Sequence, residues 1–307
     1  MFSDQKEVGP YILLEELAQG ATTILYKARA PHFLGQTVVI KLLAEECAHD
    51  SECLEAMRVE AGLLSRLSHP NIIKILDYNF KQDTPYSVFE YVQGWNLRSV
   101  INQHGKNKMA VREWYSLSVI LELCRALHYL HRETDPTGKS MEIVHGDINP
   151  KNILMSSEGN LKLIDLGISQ SQEHKMGQED RVGRGSISYM APEQASRKLM
   201  DSRSDLFSAG VILYELLIGE KPFQGKDRFE VEKNLFAKEI SASSLPDKIS
   251  PQLKPIIIKA LRKKPDERYQ NAVEMEKDLS LYVKLKYPGL VSADLAEYLT
   301  SEVFRKG

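Results

Sequence analysis

Residues Ile143–Leu154 read IVHGDINPKNIL, and Leu161–Gly167 read LKLIDLG. Both stretches set short oxygen-bearing side chains, Asp147, Asn152 and Asp165, among apolar residues of strand character. Any one of the three alone is an ordinary turn former. Taken together they suit magnesium, which takes few protein ligands and leaves coordination positions for phosphate oxygens.

Working back toward the N-terminus, Lys41 interrupts the apolar run Val38-Val39-Ile40 and Leu42-Leu43. A buried ammonium is costly unless it is paired. The following segment, about Leu54 to Leu67, reads as a helix that ends before His69-Pro70-Asn71. At 100° per residue, Glu60 falls inside its apolar stripe of Met57, Ala61, Leu64 and Leu67. An acid on an apolar face and a lysine in an apolar strand fit together as one ion pair. A strand-edge lysine with its head in water is the alternative that these two residues leave open.

The remaining pattern divides the chain at Gln93-Gly94. Before it, Thr23–Ala30, Gln36–Leu43, Ile72–Tyr78 and Tyr86–Tyr91 read as strands, with Gly35-Gln36 as a turn. After it, helical spacing dominates: Trp114–His131 is amphipathic, and Asp205–Leu217 is more apolar and stops at Gly219, with Pro222 beyond. Helices are also expected from Pro251 onward and from Ala272 onward. Past Pro288-Gly289, the stripe Leu295, Tyr298, Leu299 and Val303 marks a last helix. It needs a surface to cover its apolar face, either the preceding domain or a partner.

In this order and spacing, from about Val8 to Tyr287, the chain resembles a eukaryotic-like (Hanks-type) protein kinase of the bacterial kind. Lys41 in VVIK matches the strand lysine and Glu60 its helix partner. HGDINPKN resembles the catalytic loop, DLG the metal-binding DFG, and Ala191-Pro192-Glu193 the APE motif. Asp205 matches the aspartate of the large C-lobe helix, and Arg268 the partner of the APE glutamate.

The resemblance implies an α+β, bilobal fold. Its parts are a small mainly-β N-lobe (1–93), a larger mainly-α C-lobe (94–287) and a C-terminal helical tail (288–307). It implies an ATP- and Mg-dependent transfer of the γ-phosphoryl group to serine or threonine hydroxyls of proteins, autophosphorylation included. Lys41 would hold the α- and β-phosphates, Glu60 would fix Lys41, and Asn152 and Asp165 would carry the metal. Asp147 would orient the attacking hydroxyl and accept its proton. Phe89 would guard the adenine pocket, with Val39 lining it and the backbone of Glu90 to Val92 bonding adenine. Asn96 would lie near the ribose or cap a helix.

Several positions depart from the family pattern. The glycine-rich loop G-x-G-x-x-G-x-V reads Ala18, Gly20, Thr23 and Leu25, which implies a stiffer loop with less tolerance for positive φ and a weaker grip on nucleotide. Gly146 replaces the arginine that pairs with a phosphorylated activation loop, so activity is expected not to require phosphate near Ser169, Ser171, Ser186 or Ser188. Arg181 or Arg184 compensating for it is the alternative. Asn149 stands where a lysine usually steadies the γ-phosphate, and Lys151 is placed to supply that charge or else to lie solvated on the surface. Gly185-Ser186-Ile187-Ser188-Tyr189 resembles the serine/threonine pattern ahead of APE. The altered loop and Asn149 keep a pseudokinase, acting as a nucleotide-binding or scaffolding module, as the alternative. A small-molecule kinase is a third reading.

Composition bounds the rest. The chain has 307 residues, of which 42% are hydrophobic and 27% charged, with 40 Lys+Arg against 42 Asp+Glu. A net charge of −2 gives no broad basic surface for nucleic acid. No apolar run approaches the roughly 18 residues of a membrane span, and the N-terminus lacks the apolar core of a signal peptide, so a cytoplasmic, unanchored protein is expected. Cys47, Cys53 and Cys124 are too few and scattered for a disulfide framework, and the absence of a C-x-x-C pair disfavours a structural zinc site. Oligomeric state is not legible.

Overall fold

The computed structural model describes residues 6–48, 50–81, 84–107, 111–166 and 187–304. The chain divides into two compact units, one of residues 1–68 and 72–93, the other of 69–71 and 94–307. The first is mainly β and the second mainly α, the α+β make-up expected of a bilobal kinase. Among the described residues no helix is long and apolar enough to cross a membrane.

The first unit carries β1 (Glu7–Val8), β2 (Tyr11–Gln19), β3 (Thr23–Ala30), β4 (Gln36–Leu43), α1 (Ser51–Leu64), β5 (Ile75–Asn79) and β6 (Tyr86–Glu90). The strands form one antiparallel sheet in the order β1-β2-β3-β4-β6-β5. Successive strand residues point to opposite faces, so the sequence of β4 sorts itself in two. Val38, Ile40 and Leu42 join Val8, Tyr11, Leu13, Ala28, Ala30, Tyr86 and Val88 in a buried core, and Val39 and Lys41 take the other face.

Helix α1 starts three residues before the periodicity suggested. Asp50 caps it, its Oδ1 accepting from the Glu52 N–H at 2.8 Å, and a cap is a local polar signal that an apolar stripe does not carry. The strand expected from Ile72 begins only at Ile75. Ile72 forms an isolated bridge outside the strands, and both Ile72 and Ile73 are buried.

The second unit opens with β7 (Gly94–Asn96), α2 (Leu97–Asn107), α3 (Glu113–His131), β8 (Ile153–Ser156) and β9 (Leu161–Leu163). It continues with α4 (Pro192–Ala195), α5 (Ser202–Ile218), α6 (Arg228–Ala237), α7 (Lys254–Ala260), α8 (Ala272–Lys286) and α9 (Ser292–Glu297), ending in a π-helical turn, Tyr298–Val303. Strands β7, β8 and β9 form a small antiparallel sheet. Helix α5 is buried along nearly its whole length, which explains why its sequence is apolar all round. Gly210 lets it approach α7, where an added Cβ would lie 2.7 Å from that of Ala260. Gly219 ends it in the left-handed conformation, at φ 95°.

The C-terminal stripe finds its cover inside this unit. Leu295, Tyr298, Leu299 and Val303 are all buried. The Tyr298 hydroxyl meets His104 Nε2 at 2.5 Å and accepts from the Arg112 N–H at 3.2 Å, while its ring packs on Trp114 and Tyr115. Phe304 stacks on Trp95 with centroids 4.2 Å apart. Of the two covers that the sequence left open, the preceding domain is the one observed.

Candidate active site

Strand register places most of the residues expected at the nucleotide on one face of the β-sheet. Ala18 pairs with Leu25, and Leu25 with Lys41. Lys41 in turn lies opposite Ser87, and Val39 opposite Phe89. Directly paired residues share a face, as do residues two apart on one strand, so Ala18, Leu25, Val39, Lys41 and Phe89 are all on the side away from the apolar core. Lys41 Nζ reaches across to Glu60 on α1, at 2.8 Å from Oε2 and 3.1 Å from Oε1. Both side chains are 11% exposed, so a paired arrangement replaces the water-facing lysine that the sequence alone allowed.

The β2–β3 hairpin closes with the Gly20 N–H donating to the Thr23 carbonyl at 2.8 Å. Neither Ala18, Gly20 nor Thr23 has positive φ, and a Cβ at Gly20 would meet only ordinary contacts, the nearest at 3.4 Å. The conformational penalty expected from losing two glycines does not arise in this hairpin. Phe89 is buried between Val39 and Ile75 on the neighbouring strands. The Glu90 N–H and carboxylate are tied to the Lys74 backbone, at 3.0 and 2.9 Å. Among the described residues nothing bonds the Val92 N–H.

In the second unit, one short loop and the end of β9 assemble the remaining expected residues. Asp147 is held by two amides: Asn149 Nδ2 donates to its Oδ1 at 2.9 Å and Asn152 Nδ2 to its Oδ2 at 2.8 Å. The same amides also donate to the Asp147 carbonyl, at 3.1 and 2.9 Å. A carboxylate oxygen has two lone pairs, so each retains one acceptor position. Burial pushes the Asp147 carboxyl above its ordinary range and the nearby Asp165 charge adds to this, while His145, Asn149 and Asn152 oppose it. Asp165 sits in the left-handed region at φ 53°, as do Leu34, Glu142 and Arg197 among the described residues.

A magnesium ion fits this donor set. With both Asn152 amide hydrogens given to Asp147, its Oδ1 accepts no hydrogen bond among the described residues and is left as a hard oxygen ligand beside the two carboxylates. Lys151 is exposed, and its backbone N–H donates to Asn149 Oδ1 at 2.9 Å. Asn149 therefore props the aspartate rather than standing in for a phosphate-directed lysine. Asn96 uses its Oδ1 to accept from both the N–H and the hydroxyl of Ser99, which makes it the cap of α2. Gly167, Ser169, Ser171, Arg181, Arg184, Gly185 and Ser186 lie outside the described residues. Ser188 is described and buried.

The loop is fixed from below by Asp205 on α5. Its oxygens accept from the backbone N–H groups of His145 and Gly146, both at 2.9 Å, and from His131 Nε2 at 2.8 Å. Although burial opposes ionisation, these donors hold the Asp205 carboxyl below its usual range.

The model of the protein kinase domain matches residues 11–278. This chain belongs to the protein kinase domain family. The tyrosine-protein kinase MasK of Myxococcus xanthus is 30% identical over 294 residues, covering 95% of this chain and 46% of that protein. The serine/threonine-protein kinase PrkC of Bacillus subtilis is 33% identical, with 88% and 40% covered, and PknB of Mycolicibacterium smegmatis is 32% identical, with 90% and 43% covered. The chain thus spans less than half the length of these curated relatives.

The kinase domain contains three features that sequence reading did not reach. His145 Nδ1 accepts from the Asp147 N–H at 3.2 Å and its Nε2 faces the Ile164 carbonyl at 3.1 Å, so the ring links the loop to the residue before Asp165. Gly146 has φ 75°, and its carbonyl accepts from Gln194 Nε2 at 2.5 Å. Arg98 and Tyr189 converge on Glu215: the Arg98 guanidinium is 3.0 Å from Oε1, and the Tyr189 hydroxyl donates to Oε2 at 2.5 Å. A histidine inside the apolar run IVHGD was the only sequence signal among these, because the other contacts join residues 26 to 117 positions apart.

Proposed function

We propose that this chain is an ATP- and magnesium-dependent protein kinase that phosphorylates serine and threonine hydroxyls. The observation that carries the proposal is the Lys41–Glu60 pair, 2.8 Å apart, on the sheet face that also bears Ala18, Leu25, Val39 and Phe89. A positioned ammonium among apolar side chains is what a nucleotide needs from this face, charge for its phosphates and apolar surface for its base. Lys41 contacts the α- and β-phosphates and Glu60 orients it. The hairpin of Gly20 and Thr23 covers the phosphates, and the Glu90 carbonyl and Val92 N–H bond adenine.

Asn152 and Asp165 hold magnesium, which when bound neutralises charge on the phosphate oxygens. Asp147 orients the acceptor hydroxyl. The hydroxyl oxygen bonds to the γ-phosphorus, the bond from that phosphorus to the β-γ bridging oxygen breaks, ADP leaves, and the hydroxyl proton passes to Asp147. A carboxyl pushed up by burial is a better base than a solvated one. Exposed Lys151 supplies the positive charge for which Asn149 is unsuited.

Serine/threonine specificity rests on the GSISYMAPE pattern and on the names of PrkC and PknB. Independence from activation-loop phosphorylation rests on Gly146, which has no side chain to read a phosphate. The test is transfer of labelled phosphate from ATP to a protein acceptor with and without magnesium, followed by phosphoamino-acid analysis. Wild type is expected to yield labelled serine and threonine, and Asp147→Asn to lose at least about 10²-fold in turnover with ATP binding kept. Labelled tyrosine alone would refute the acceptor class, and equal turnover by the two proteins would refute the role of Asp147. Silencing by phosphatase treatment would refute loop independence.

A further inference from the structure

Sequence spacing set the cysteines apart, but folding brings two of them together. Strand β4 is followed by a single 3-10 turn, Glu45–Cys47, and then by Asp50 at the cap of α1, whose first turn contains Cys53. The Cys47 N–H donates to the Ala44 carbonyl at 2.9 Å and the Asp50 N–H to the Cys47 carbonyl at 3.1 Å, curling the connection back on itself. As a result Cys47 Sγ, a carboxylate oxygen of Asp50 and Cys53 Sγ all lie within 4.8 Å of one another. Cys47 is 5% exposed and Cys53 7%, and Asp50 is half-buried.

The aspartate divides its oxygens between two tasks. Oδ1 is fixed by the capping bond from the Glu52 N–H, and Oδ2 stands 3.4 Å from Cys53 Sγ. A tetrahedral zinc ion with bonds of about 2.3 Å to sulfur and about 2.0 Å to oxygen has an S···O edge of about 3.5 Å. The capping bond orients the carboxylate in the way that outer hydrogen bonds orient metal ligands. Residues 44–57 include Glu45, Glu46, Asp50, Glu52 and Glu55 and no lysine or arginine, so the local charge favours a cation. Burial, with Cys47 and Asp50 beside it, pushes the Cys53 thiol up to about 12, so a metal ion must displace its proton on binding.

We propose that Cys47, Asp50 and Cys53 form a zinc site, with the fourth position open to water. The competing use of two neighbouring thiols is a disulfide. The Asp50 carboxylate acts against it by repelling the thiolate that exchange requires, whereas the same carboxylate is a zinc ligand. The ion ties the turn that follows the strand of Lys41 to the first turn of the helix bearing Glu60.

The test uses the full chain, reduced and freed of metal, titrated with cobalt(II) and then with zinc. One equivalent of cobalt is expected to produce a thiolate-to-metal absorption in the near ultraviolet, which zinc then bleaches. Zinc should shield two of the three cysteines from a thiol reagent. Cys124→Ser should keep the absorption and the shielding of Cys47 and Cys53, and Cys47→Ser and Cys53→Ser should each abolish the absorption. Asp50→Asn keeps a capping oxygen and should weaken zinc by about tenfold or more. Absence of the absorption in reduced wild type would overturn the proposal, as would its persistence in both cysteine variants. So would a Cys47–Cys53 disulfide in a protein whose reduced form takes up no metal. Thiol shielding in wild type decides the matter should the cysteine variants fail to fold.

Discussion

Lys41–Glu60 in the mainly-β unit and Glu193–Arg268 in the helical unit both bury opposite charges, yet they are finished differently. Arg268 is 1% exposed and uses all five of its N–H donors: two reach the Glu193 carboxylate at 2.6 and 2.7 Å, and others reach the carbonyls of Arg262, Lys263 and Arg203. Glu193 also accepts from the Ser204 hydroxyl at 2.6 Å. Such a pair has no capacity for a ligand and fixes the APE segment to the helices around it. Lys41 meets the Glu60 carboxylate through a single ammonium, and both side chains are 11% exposed. Saturation marks a structural lock. A compact ammonium is instead a point charge of the kind proposed above to meet phosphate.

The largest expected effect breaks the lock. Arg268→Ala leaves the Glu193 charge buried and should cost about 3–5 kcal/mol of unfolding free energy in denaturant titration. A loss below about 1 kcal/mol would mean that the two pairs are not different in kind. Lys41→Met should show the opposite balance, with turnover falling by about 10²–10³-fold while the unfolding free energy falls by less than in Arg268→Ala. Unfolding on a par with the Arg268 variant would remove the distinction.

A pH titration sharpens the comparison further. Burial acts against ionised Glu193, but the Arg268 hydrogen bonds and charge hold its carboxyl below the usual value. The lock therefore contributes in full above the unfolded glutamate value near 4.3, and its contribution fades as pH falls through the lower folded value. The stability gap between wild type and Arg268→Ala should narrow in that acid window and stay flat from about pH 6 to 8. The smallest effect belongs to the surface pair Arg112–Glu302, at 2.7 Å with side chains 52% and 36% exposed. Glu302→Gln should cost less than about 1 kcal/mol and should cost less still in high salt.

Legibility followed the range of the interactions. Strands Thr23–Ala30 and Gln36–Leu43 were readable to the residue, because alternation and a glycine turn are local. The Lys41–Glu60 pairing was readable as one of two readings, because two charges 19 residues apart each lay among apolar residues, and a water-facing lysine was the other. Strand β2 went unread, since its second half, Glu15 to Gln19, is mostly polar and exposed. The cap at Asp50 and the grouping of Cys47 with Cys53 went unread as well, because a 3-10 turn shifts residues out of simple helical spacing.

The sequence by itself determined the family, the order of its mainly-β and mainly-α parts and which side chains to expect at the site, because residue type, spacing and apolar periodicity are properties of the chain alone. Only tertiary structure decided that Asn149 supports Asp147, that Asp205 holds the loop by its backbone, and that the C-terminal stripe folds back onto α2 and α3. Those outcomes depend on which partners meet over tens to hundreds of residues, and burial makes each buried polar group find a bond wherever the fold offers one.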